Sequence, residues 1–470
     1  MNEVVDMSAD QLKAAYRCRA LSPVEVMCAV LDRVTRFNPI VNGVCGLDED
    51  RALAAARESE RRWMRSEPCG LLDGVPVSVK DLIAVRGLPT RYGSRTSASA
   101  AEVNDAPAVA RLRHAGALLF GKTTTSEFGN KIVTDSPLTG VTRNPWDLRR
   151  SPGGSSGGSA VAVALGMGPL SLATDGGGSI RVPACWSGVV GMKPSFDRVP
   201  TGAAGSWTGL STLGPMARTV SDAALMLTVM TRESNARSPA CAWPDVRCGP
   251  DDGIAGLRIA YCPAPAGVEV EPDIAIAVRH AVELLDGLGA SVEATDLKPL
   301  SGYLGSRIHA IQWSVFFAQR VRQLHPSARQ HLDADVHALA EMGDSVVTST
   351  FVDALQARHA LIVAMTAFFE DYDLLVTPTF HCGPPLAPGL PEHQRMAPPL
   401  TSWCNQTGLP AVSVPCGLSG GLPTGIQIIG PRGSDALVLR AARAYEFARG
   451  PFPTPAAAMR NQTGDAEVRA

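Results

Sequence analysis

The chain of 470 residues carries a formal net charge of −2, and its charged residues, 19% of the total, form no long runs. This balance gives no electrostatic basis for binding nucleic acid or an anionic membrane, so a small molecule is the expected partner. The eleven cysteines are odd in number and form no Cys-x-x-Cys pair, which argues against a disulfide framework or a thiolate zinc site. An acidic N-terminus and the lack of a long uninterrupted apolar run predict a cytoplasmic protein.

The first elements of the chain are predicted to be helices. Residues 8–18 have an amphipathic pattern, and the sequence SPVE from Ser22 to Glu25 is a capping box with proline at the first helical position. This box predicts a helix that continues to about Phe37. An Ala-, Arg- and Glu-rich segment predicts a third helix over 49–65, and we expect the three helices to form part of an outer shell.

The pattern changes at GVPVSVKD, residues 74–81, where three valines alternate with other residues. Alternation predicts a strand and places Ser78 and Lys80 on one face of it. A lysine in a short apolar strand is costly to desolvate as an ammonium ion and tends to lose its proton. Taken alone, Lys80 also fits a solvated strand end.

A second lysine lies in a motif that looks like a phosphate-binding loop. Residues 105–115 predict a helix ended by Gly116, and the segment from Gly116 to Thr123 matches G-x-x-x-x-G-K-T. However, the four variable positions, 117–120, are themselves a buried-strand pattern, whereas a phosphate loop follows a strand and opens a helix. We therefore do not expect nucleotide binding.

Two glycine-serine clusters, separated by an apolar, alanine-rich segment, occupy residues 151–181 after a long predicted loop over 126–151. A helix is predicted over 156–167, and a short strand over 169–175 leads into the second cluster. Glycine at this density frees backbone N–H groups to converge on a small anion, and we interpret that anion as a transition-state oxyanion. A tight turn or flexibility would account for either cluster alone.

Two bases are available to activate a serine in these clusters. The segment from Gly154 to Gly158 reads G-x-S-x-G, the nucleophile elbow of the α/β-hydrolases, with His381 or His393 as the base. That elbow needs a strand immediately before Ser156, but the preceding residues are polar and broken by proline. An elbow is therefore not expected.

The other base is Lys80, whose use as a base requires a pKa depressed by burial and is favoured by neutral hydroxyl neighbours. Two serine clusters then supply a nucleophile and a proton relay. Ser179 is the better nucleophile, because the glycine N–H groups that precede it can converge on the oxygen of an attacked carbonyl.

The remainder of the chain predicts further strands and helices of an α/β protein. The predicted elements and connections are a helix over 220–231, an irregular loop over 231–256, a strand over 257–261, a helix over 272–288, a strand over 290–294, helices within 302–370, strands at 373–378, 410–416 and 424–430, and a helix over 434–449. Residues 456–470 are expected to be a disordered tail.

These motifs together resemble the amidase signature family. They are GVPVSVKD around Lys80, SPGGSSGGSA around Ser155, TDGGGSIRVPACWSGVVGMKPS around Ser179, LSTLGPMARTVSDAAL, and the later GLPAVSVPCGL and GLPTGIQIIG. The motifs are specific, and they span most of residues 8–449.

The resemblance implies one α/β/α catalytic domain over residues 1–455, with a twisted, mostly mixed central sheet surrounded by helices. Within it, residues 302–370 would be a variable helical layer near the substrate pocket. The resemblance also implies a Ser-cisSer-Lys triad and a cis peptide bond before its middle serine. Residue by residue, the implied catalytic groups are Ser179, Ser155 and Lys80; the oxyanion donors are the N–H groups of Gly176, Gly177, Gly178 and Ser179; and the supporting residues are Ser156, Asp175 and Arg181.

The resemblance further implies hydrolysis of an amide C–N bond through an acyl-enzyme, without a metal or organic cofactor. Aromatic residues near the motifs suit an apolar pocket for an aryl or alkyl amide or a carbamate, although each also fits a place in the core. The pocket residues expected are Phe128, Gly129, Trp207 and Trp313, and Trp186 and Trp403 are further aromatic residues near the motifs.

Two other functions remain open at this point. One is the A-type subunit of glutamyl-tRNA amidotransferase, the component that hydrolyses glutamine. Residues 302–350 argue against this function because they do not resemble the paired-tyrosine helical region of that subunit. The other is a non-catalytic binding protein with the same fold, against which the intact Lys80, Ser155 and Ser179 count. A homodimer is expected from the family alone.

Overall fold

The structure is a computed structural model that describes residues 2–201, 209–231, 246, 253–388, 400–455 and 459. The predicted tail apart from Met459, the pocket candidate Trp207 and the candidate base His393 therefore lie outside the described residues. The strands, numbered in chain order, are β1 (Val44–Leu47), β2 (Pro76–Lys80), β3 (Leu118–Thr123), β4 (Asp135–Ser136), β5 (Gly140–Val141), β6 (Leu170–Asp175), β7 (Val190–Lys193), β8 (Thr212–Ala217), β9 (Arg258–Tyr261), β10 (Ser291–Ala294), β11 (Leu374–Pro378), β12 (Ala411–Ser419) and β13 (Leu422–Ile429).

Eleven of these strands form one central sheet in the order β1-β3-β2-β6-β8-β7-β12-β13-β11-β9-β10. Strand β2 pairs in parallel with β3 and β6, and β9 pairs in parallel with β10 and β11. The other neighbours pair antiparallel. The expected α/β fold with a mixed central sheet is therefore confirmed.

Helices surround this sheet. In chain order they are α1 (Asn2–Val5), α2 (Ala9–Arg17), α3 (Pro23–Val41), α4 (Glu49–Met64), α5 (Pro107–His114), α6 (Gly157–Ala164), α7 (Arg181–Ser187), α8 (Val220–Thr231), α9 (Pro272–Gly287), α10 (Tyr303–Ser306), α11 (Ile308–Arg322), α12 (Pro326–Arg329), α13 (Ala334–Asp344), α14 (Thr348–Asp371), α15 (Ser402–Thr407) and α16 (Asp435–Arg449). The capping box at the start of α3 is present, with Ser22 Oγ accepting from the Glu25 N–H group at 3.1 Å and Glu25 Oε2 accepting from the Ser22 N–H group at 2.7 Å.

The region predicted to be a helical layer contains α10 to α14. Helix α14 packs against α11 and α15. By length and composition alone it is the one described helix apolar enough to cross a membrane, a test that helices of soluble proteins also pass.

The motif that looks like a phosphate-binding loop is not a loop. Its last three residues, from Gly121 to Thr123, belong to β3, and Lys122 is buried there. Lys122 Nζ donates to the carbonyl of Ile83 at 2.7 Å and lies 3.3 Å from Asp81 Oδ1. The Lys122 ammonium group therefore takes part in a structural ion pair inside the sheet.

The parallel strands β2 and β6 position the candidate site. Their register pairs Ser78 with Ser171 and Val79 with Leu172. Parallel neighbours end at the same edge of a sheet, which is where open α/β folds bind ligands. Lys80, the last residue of β2, and Asp175, the last residue of β6, therefore reach this edge together.

Candidate active site

Lys80 is the centre of a cluster of hydroxyl groups. Its side chain is fully buried, and Nζ lies 2.7 Å from Ser155 Oγ, 2.8 Å from Ser156 Oγ and 2.8 Å from Thr174 Oγ1. All three neighbours are neutral. The structure thus brings Lys80 together with two serines of the first glycine-serine cluster.

This environment disfavours the charged form of the amine. Burial lowers the pKa of Lys80 well below its ordinary value of 10.5, and the nearby Asp175 carboxylate opposes that shift only in part. Desolvation dominates because a buried ammonium ion loses its hydration and finds no directly paired carboxylate in return. Burial therefore makes the neutral amine, which is a base, more accessible than it is for an exposed lysine.

Ser155 lies in a tightly enclosed loop before α6. The expected cis peptide bond, Gly154–Ser155, is present. A Cβ atom on Gly154 would collide with the backbone of Val133, so glycine is required by this close approach. Thr134 Oγ1 fixes both sides of the loop by donating to the Gly153 carbonyl at 2.8 Å and accepting from the Gly157 N–H group at 3.0 Å.

Ser156 has a supporting position. Its hydroxyl donates to the carbonyl of Thr174 at 3.1 Å and lies against Lys80. No strand precedes it, as the elbow would require, and residues 151–156 lack regular secondary structure before α6 begins. The arrangement of Ser156 is therefore not that of a nucleophile elbow.

The second glycine-serine cluster forms the turn between β6 and α7. The carboxylate of Asp175 organises this turn, with Oδ1 accepting from the Gly178 N–H group at 2.7 Å and Oδ2 accepting from the Ile180 N–H group at 3.1 Å. The N–H group of Gly178, one of the four expected oxyanion donors, thus donates to Asp175 in this structure. Among the residues described, no backbone carbonyl accepts a hydrogen bond from the N–H groups of Gly176, Gly177 and Ser179.

Asp175 and Arg181 form a fully buried ion pair. Arg181 Nη2 lies 2.8 Å from Asp175 Oδ1, and Nε lies 3.0 Å from Oδ2. Burial alone would raise the pKa of Asp175, but the adjacent guanidinium holds it well below the ordinary value. The other hydrogen bonds of the Arg181 guanidinium go to Thr401 O, Gln427 Oε1 and Asn405 Oδ1.

Ser179 differs from the other two serines in its exposure. Its residual exposure is 8%, compared with 1% for Ser155 and 0% for Ser156. The N–H group of Ser156 donates to the carbonyl of Ser179 at 3.2 Å, which joins the two glycine-serine clusters. Ser179 is thus the serine of the three with the most access to a ligand.

Trp313 and Phe128 lie close to these loops. A Cβ atom on Gly176 would lie 3.0 Å from the ring of Trp313, and the indole N–H group donates to the carbonyl of Asn130 at 3.2 Å. A Cβ atom on Gly129 would lie 3.2 Å from Ser155 Oγ. Gly129 therefore lies beside Ser155 and Trp313 beside Gly176, whereas Phe128 belongs to a buried apolar cluster against which Trp313 packs.

The other two tryptophans near the motifs are core residues. Trp186 packs edge-on against Phe380, with ring centroids 5.0 Å apart, and donates to the carbonyl of Cys382. Trp403 is fully buried in an apolar cluster on the other part of the sheet.

Several residues of the site were not anticipated from the sequence. Thr174 contacts Lys80 directly, and its position next to Asp175 in the second cluster was the one available signal. His309 stacks on Trp313 with ring centroids 5.5 Å apart, and burial lowers its pKa to about 4. Asn405 donates to Asp175 Oδ1 at 3.0 Å from α15, a contact between segments far apart in the chain that no local pattern marks.

The described ranges, with their gaps, contain no group of three or more His, Cys, Asp or Glu side chains arranged to hold a metal ion. The chemistry of the site is that of hydroxyls, one amine and backbone N–H groups.

Comparison with known proteins agrees with this geometry. A model of the Amidase family matches residues 25–439. The A-type subunit of the glutamyl-tRNA(Gln) amidotransferase of Salinispora arenicola is 36% identical over 493 residues, covering 97% of this chain and 100% of the relative. An acylamidase of Rhodococcus erythropolis is also 36% identical, over 460 residues, covering 94% of this chain and 95% of the relative.

A solved structure of a bacterial aryl acylamidase of the amidase signature family superposes with a TM-score of 0.83 at 31% identity, covering 94% of this chain and 96% of that chain. Each of these proteins matches over nearly its whole length. From the family match and these full-length similarities, the chain belongs to the amidase signature family of amide-hydrolysing enzymes.

Proposed function

We propose that this protein hydrolyses a carboxylic amide C–N bond of a small aryl or alkyl substrate through a Ser179–cisSer155–Lys80 triad and an acyl-enzyme. The observation that carries the proposal is the buried Lys80 amine among three neutral hydroxyls. Serine becomes a nucleophile only when a base accepts its proton, and an uncharged lysine serves that purpose.

The hydrogen-bond stoichiometry of a neutral amine fits this cluster. A neutral amine has two N–H donors and one lone pair. Because the Ser156 hydroxyl donates to the Thr174 carbonyl, its oxygen accepts from Lys80. With Thr174 Oγ1 accepting the second N–H group, the lone pair is left for the hydroxyl proton of Ser155. Ser155 is then oriented to pass a proton to Lys80.

In the proposed reaction, Ser179 Oγ attacks the substrate carbonyl, Ser155 takes its proton and the Ser155 proton moves to Lys80. The same relay returns a proton to the leaving nitrogen, so the amine departs and an ester to Ser179 remains. Water then attacks this ester and gives a proton to the relay. As the bond between the acyl carbon and Ser179 Oγ breaks, the relay returns a proton to Ser179 Oγ, and the acid is released.

Electrostatic stabilisation of the tetrahedral intermediate is assigned to the second glycine cluster. With the N–H group of Gly178 held by Asp175, the donors proposed are those of Gly176, Gly177 and Ser179. A single oxyanion donor typically lowers the barrier by about 2.7–4 kcal/mol. Asp175 and Arg181 are proposed to hold the turn in the shape that aims these donors.

The aryl or alkyl class of substrate rests on the Trp313 ring beside Gly176 and on the acylamidase relatives. A product-resolved screen of the purified protein on anilides, short aliphatic amides, aryl carbamates and glutamine tests it. We expect the highest kcat/KM on an anilide or an aryl carbamate. Turnover confined to glutamine would reject this substrate class, and turnover of no substrate would reject the proposed activity.

A second candidate is a glutamine-hydrolysing A-type subunit that works in a tRNA amidotransferase complex. It is favoured by the 36% identity to the Salinispora arenicola relative, which equals the identity to the acylamidase. Release of ammonia from glutamine that requires added partner proteins would support this candidate. Hydrolysis of anilides by the chain alone, without measurable glutaminase activity, would reject it.

A further inference from the structure

Asn130 has a buried side chain whose hydrogen-bonding capacity is unused. The residue is 7% exposed, and neither Nδ2 nor Oδ1 of its carboxamide has a hydrogen-bond partner among the described residues. A buried carboxamide without partners is destabilising, and such groups in native proteins call for an explanation. Because both atoms are unpartnered, the choice between the two amide orientations does not alter this finding.

The polar neighbours of Asn130 in the same loop are all paired. Glu127 accepts from the Ser94 hydroxyl at 2.5 Å and from the Asp333 N–H group at 2.6 Å. Lys131 Nζ lies 2.6 Å from Asp135 and 2.9 Å from Asp333. The charged side chains of Glu127 and Lys131, on either side of Asn130 in the chain, thus have polar partners, whereas the Asn130 carboxamide has none among the described residues.

The turn that presents Asn130 has an unusual backbone. Phe128 and Gly129 both have positive φ, 51° and 75°, and Phe128 is a bulky buried residue for which that conformation is strained. Strain of this kind persists where the surrounding structure enforces it, and it clusters at functional sites. Here the N–H group of Phe128 is fixed by the carbonyl of Tyr92 at 2.8 Å.

Asn130 lies close in the structure to residues that contact the proposed catalytic loops. The preceding residue, Gly129, lies against Ser155 Oγ. The carbonyl of Asn130 accepts from the indole of Trp313, whose ring lies over Gly176 of the nucleophile turn. Asn130 therefore follows directly after the residue beside the proposed relay serine, and its carbonyl is bonded to the ring beside the proposed oxyanion donor Gly176.

We propose that Asn130 is a specificity-determining residue whose carboxamide binds an additional amide-type group of the substrate. A carboxamide offers one acceptor and two donors, and the ligand chemistry that satisfies it is another C(=O)–NH unit, such as a secondary amide, a carboxamide or a ureido group. A mostly apolar pocket with one such group selects substrates by orientation as well as by size. The inference rests on the proposed function for the location of the substrate.

Two pairs of near-isosteric probes test this selectivity, one pair for each side of the scissile bond. On the acyl side, N-acetylglycine anilide carries the extra amide, whereas pentananilide does not. On the leaving-group side, N-pentanoylglycinamide carries it, whereas N-isobutylpentanamide does not. Dissociation constants are measured by isothermal titration calorimetry with the full-length Ser179→Ala protein, which removes turnover.

We expect the amide-bearing probe of at least one pair to bind about 10-fold or more tightly than its partner, because sites built to bond a polar group discriminate strongly against its absence. In the Ser179→Ala/Asn130→Leu protein this ratio should fall to about 1. Asn130→Ala replaces Asn130→Leu if circular dichroism shows that leucine is not accommodated. A ratio near 1 in both pairs before the Asn130 substitution, or an unchanged ratio after it, would overturn the inference.

The same titrations separate this inference from the proposed function. Because binding is measured without turnover, a ratio that depends on Asn130 supports the inference even if the wild-type protein hydrolyses none of the four probes. Absence of hydrolysis across the wider panel would count against the proposed activity alone.

Discussion

Lys80 and Asp175 end neighbouring parallel strands and are both fully buried, yet the carboxylate pairs with Arg181 and not with the amine. A bidentate guanidinium, three backbone N–H groups and the side-chain amide of Asn405 occupy the oxygens of Asp175. Lys80 is left among hydroxyls. Because the partners are divided in this way, the pKa of the Asp175 carboxyl is held down by Arg181 while burial lowers the pKa of Lys80.

The Asp175–Arg181 pair should therefore be essential to the fold of the site. Arg181→Met leaves a buried carboxylate without its counter-ion, and we expect the free energy of unfolding to fall by about 3–5 kcal/mol, as for other broken buried pairs. Urea denaturation measures this change. The double variant Asp175→Asn/Arg181→Met should recover part of the loss.

The surface pair Arg149–Asp147 provides the control for that experiment. Arg149 is exposed and lies 2.9 Å from Asp147, so Arg149→Ala should leave the urea midpoint almost unchanged. If Arg181→Met and Arg149→Ala had equal effects on the midpoint, the structural role of the buried pair would be refuted.

Lys80 and Lys122 are a matched pair of buried lysines with opposite expected roles. Lys80→Met should slow the reaction of Ser179 with a fluorophosphonate by at least about 100-fold, the usual scale of general-base catalysis. The variant should still fold, because the substitution leaves no buried charge without a counter-ion. Lys122→Met leaves the buried Asp81 carboxylate without its counter-ion, so it should lower the free energy of unfolding. Its folded fraction should still acylate at close to the wild-type rate.

Stopped-flow labelling and urea denaturation of both variants distinguish these roles. An acylation rate that survives Lys80→Met would remove this lysine from the mechanism. A similar loss of acylation in folded Lys122→Met would show that the effect is not specific to Lys80.

The acylation rate should depend on pH through Lys80. As the pH rises through the depressed pKa of Lys80, the ammonium ion loses its proton and becomes a base, so the rate should rise and then level off well below 10.5. Between the folded pKa and 10.5 the unfolded chain binds more protons, so the Lys80 contribution to stability should also increase with pH. A rate that inflects only at 10.5 or above would contradict a neutral Lys80 at lower pH.

Gly178 should tolerate no side chain. Its φ is 132°, and a Cβ atom would collide with Thr401 Oγ1, so Gly178→Ala should displace the turn that carries the proposed oxyanion donors. We expect the acylation rate to fall by about 100-fold, the scale of one lost donor. Gly287→Ala in α9, where a Cβ atom meets no atom within 4 Å, is the control and should leave the rate unchanged. Equal rates in the two variants would refute the requirement for glycine at 178.

The sequence predicted the elements whose patterns are local. The capping box of α3 and the alternation in β2 gave the right element types, and the glycine clusters and Lys80 were assigned to one site before the structure brought Lys80 to Ser155. The strands β7 and β8 and the helix α7 were missed. They are short and buried on all sides, so neither alternation nor a helical stripe marks them.

Contacts between distant segments account for the rest of what sequence reasoning missed. Asn405 and Thr401 contact the turn between β6 and α7 from more than two hundred residues away. Asn130 is recognisable only because its buried carboxamide has no hydrogen-bond partner among the described residues. The hydrogen bond from the Gly178 N–H group to Asp175 was not anticipated for a related reason. The direction in which the Asp175 carboxylate points is set by its pairing with Arg181, and no motif records it.

The most direct test of the central claim is the site of covalent labelling. The purified protein is treated with a fluorophosphonate, digested and analysed by mass spectrometry, with Ser179→Ala, Ser155→Ala and Ser156→Ala run in parallel. The account predicts a single adduct on Ser179, absent from Ser179→Ala, slowed strongly in Ser155→Ala and slowed less in Ser156→Ala. An adduct on Ser155 or Ser156 in the wild-type protein, or labelling that persists in Ser179→Ala, would contradict it.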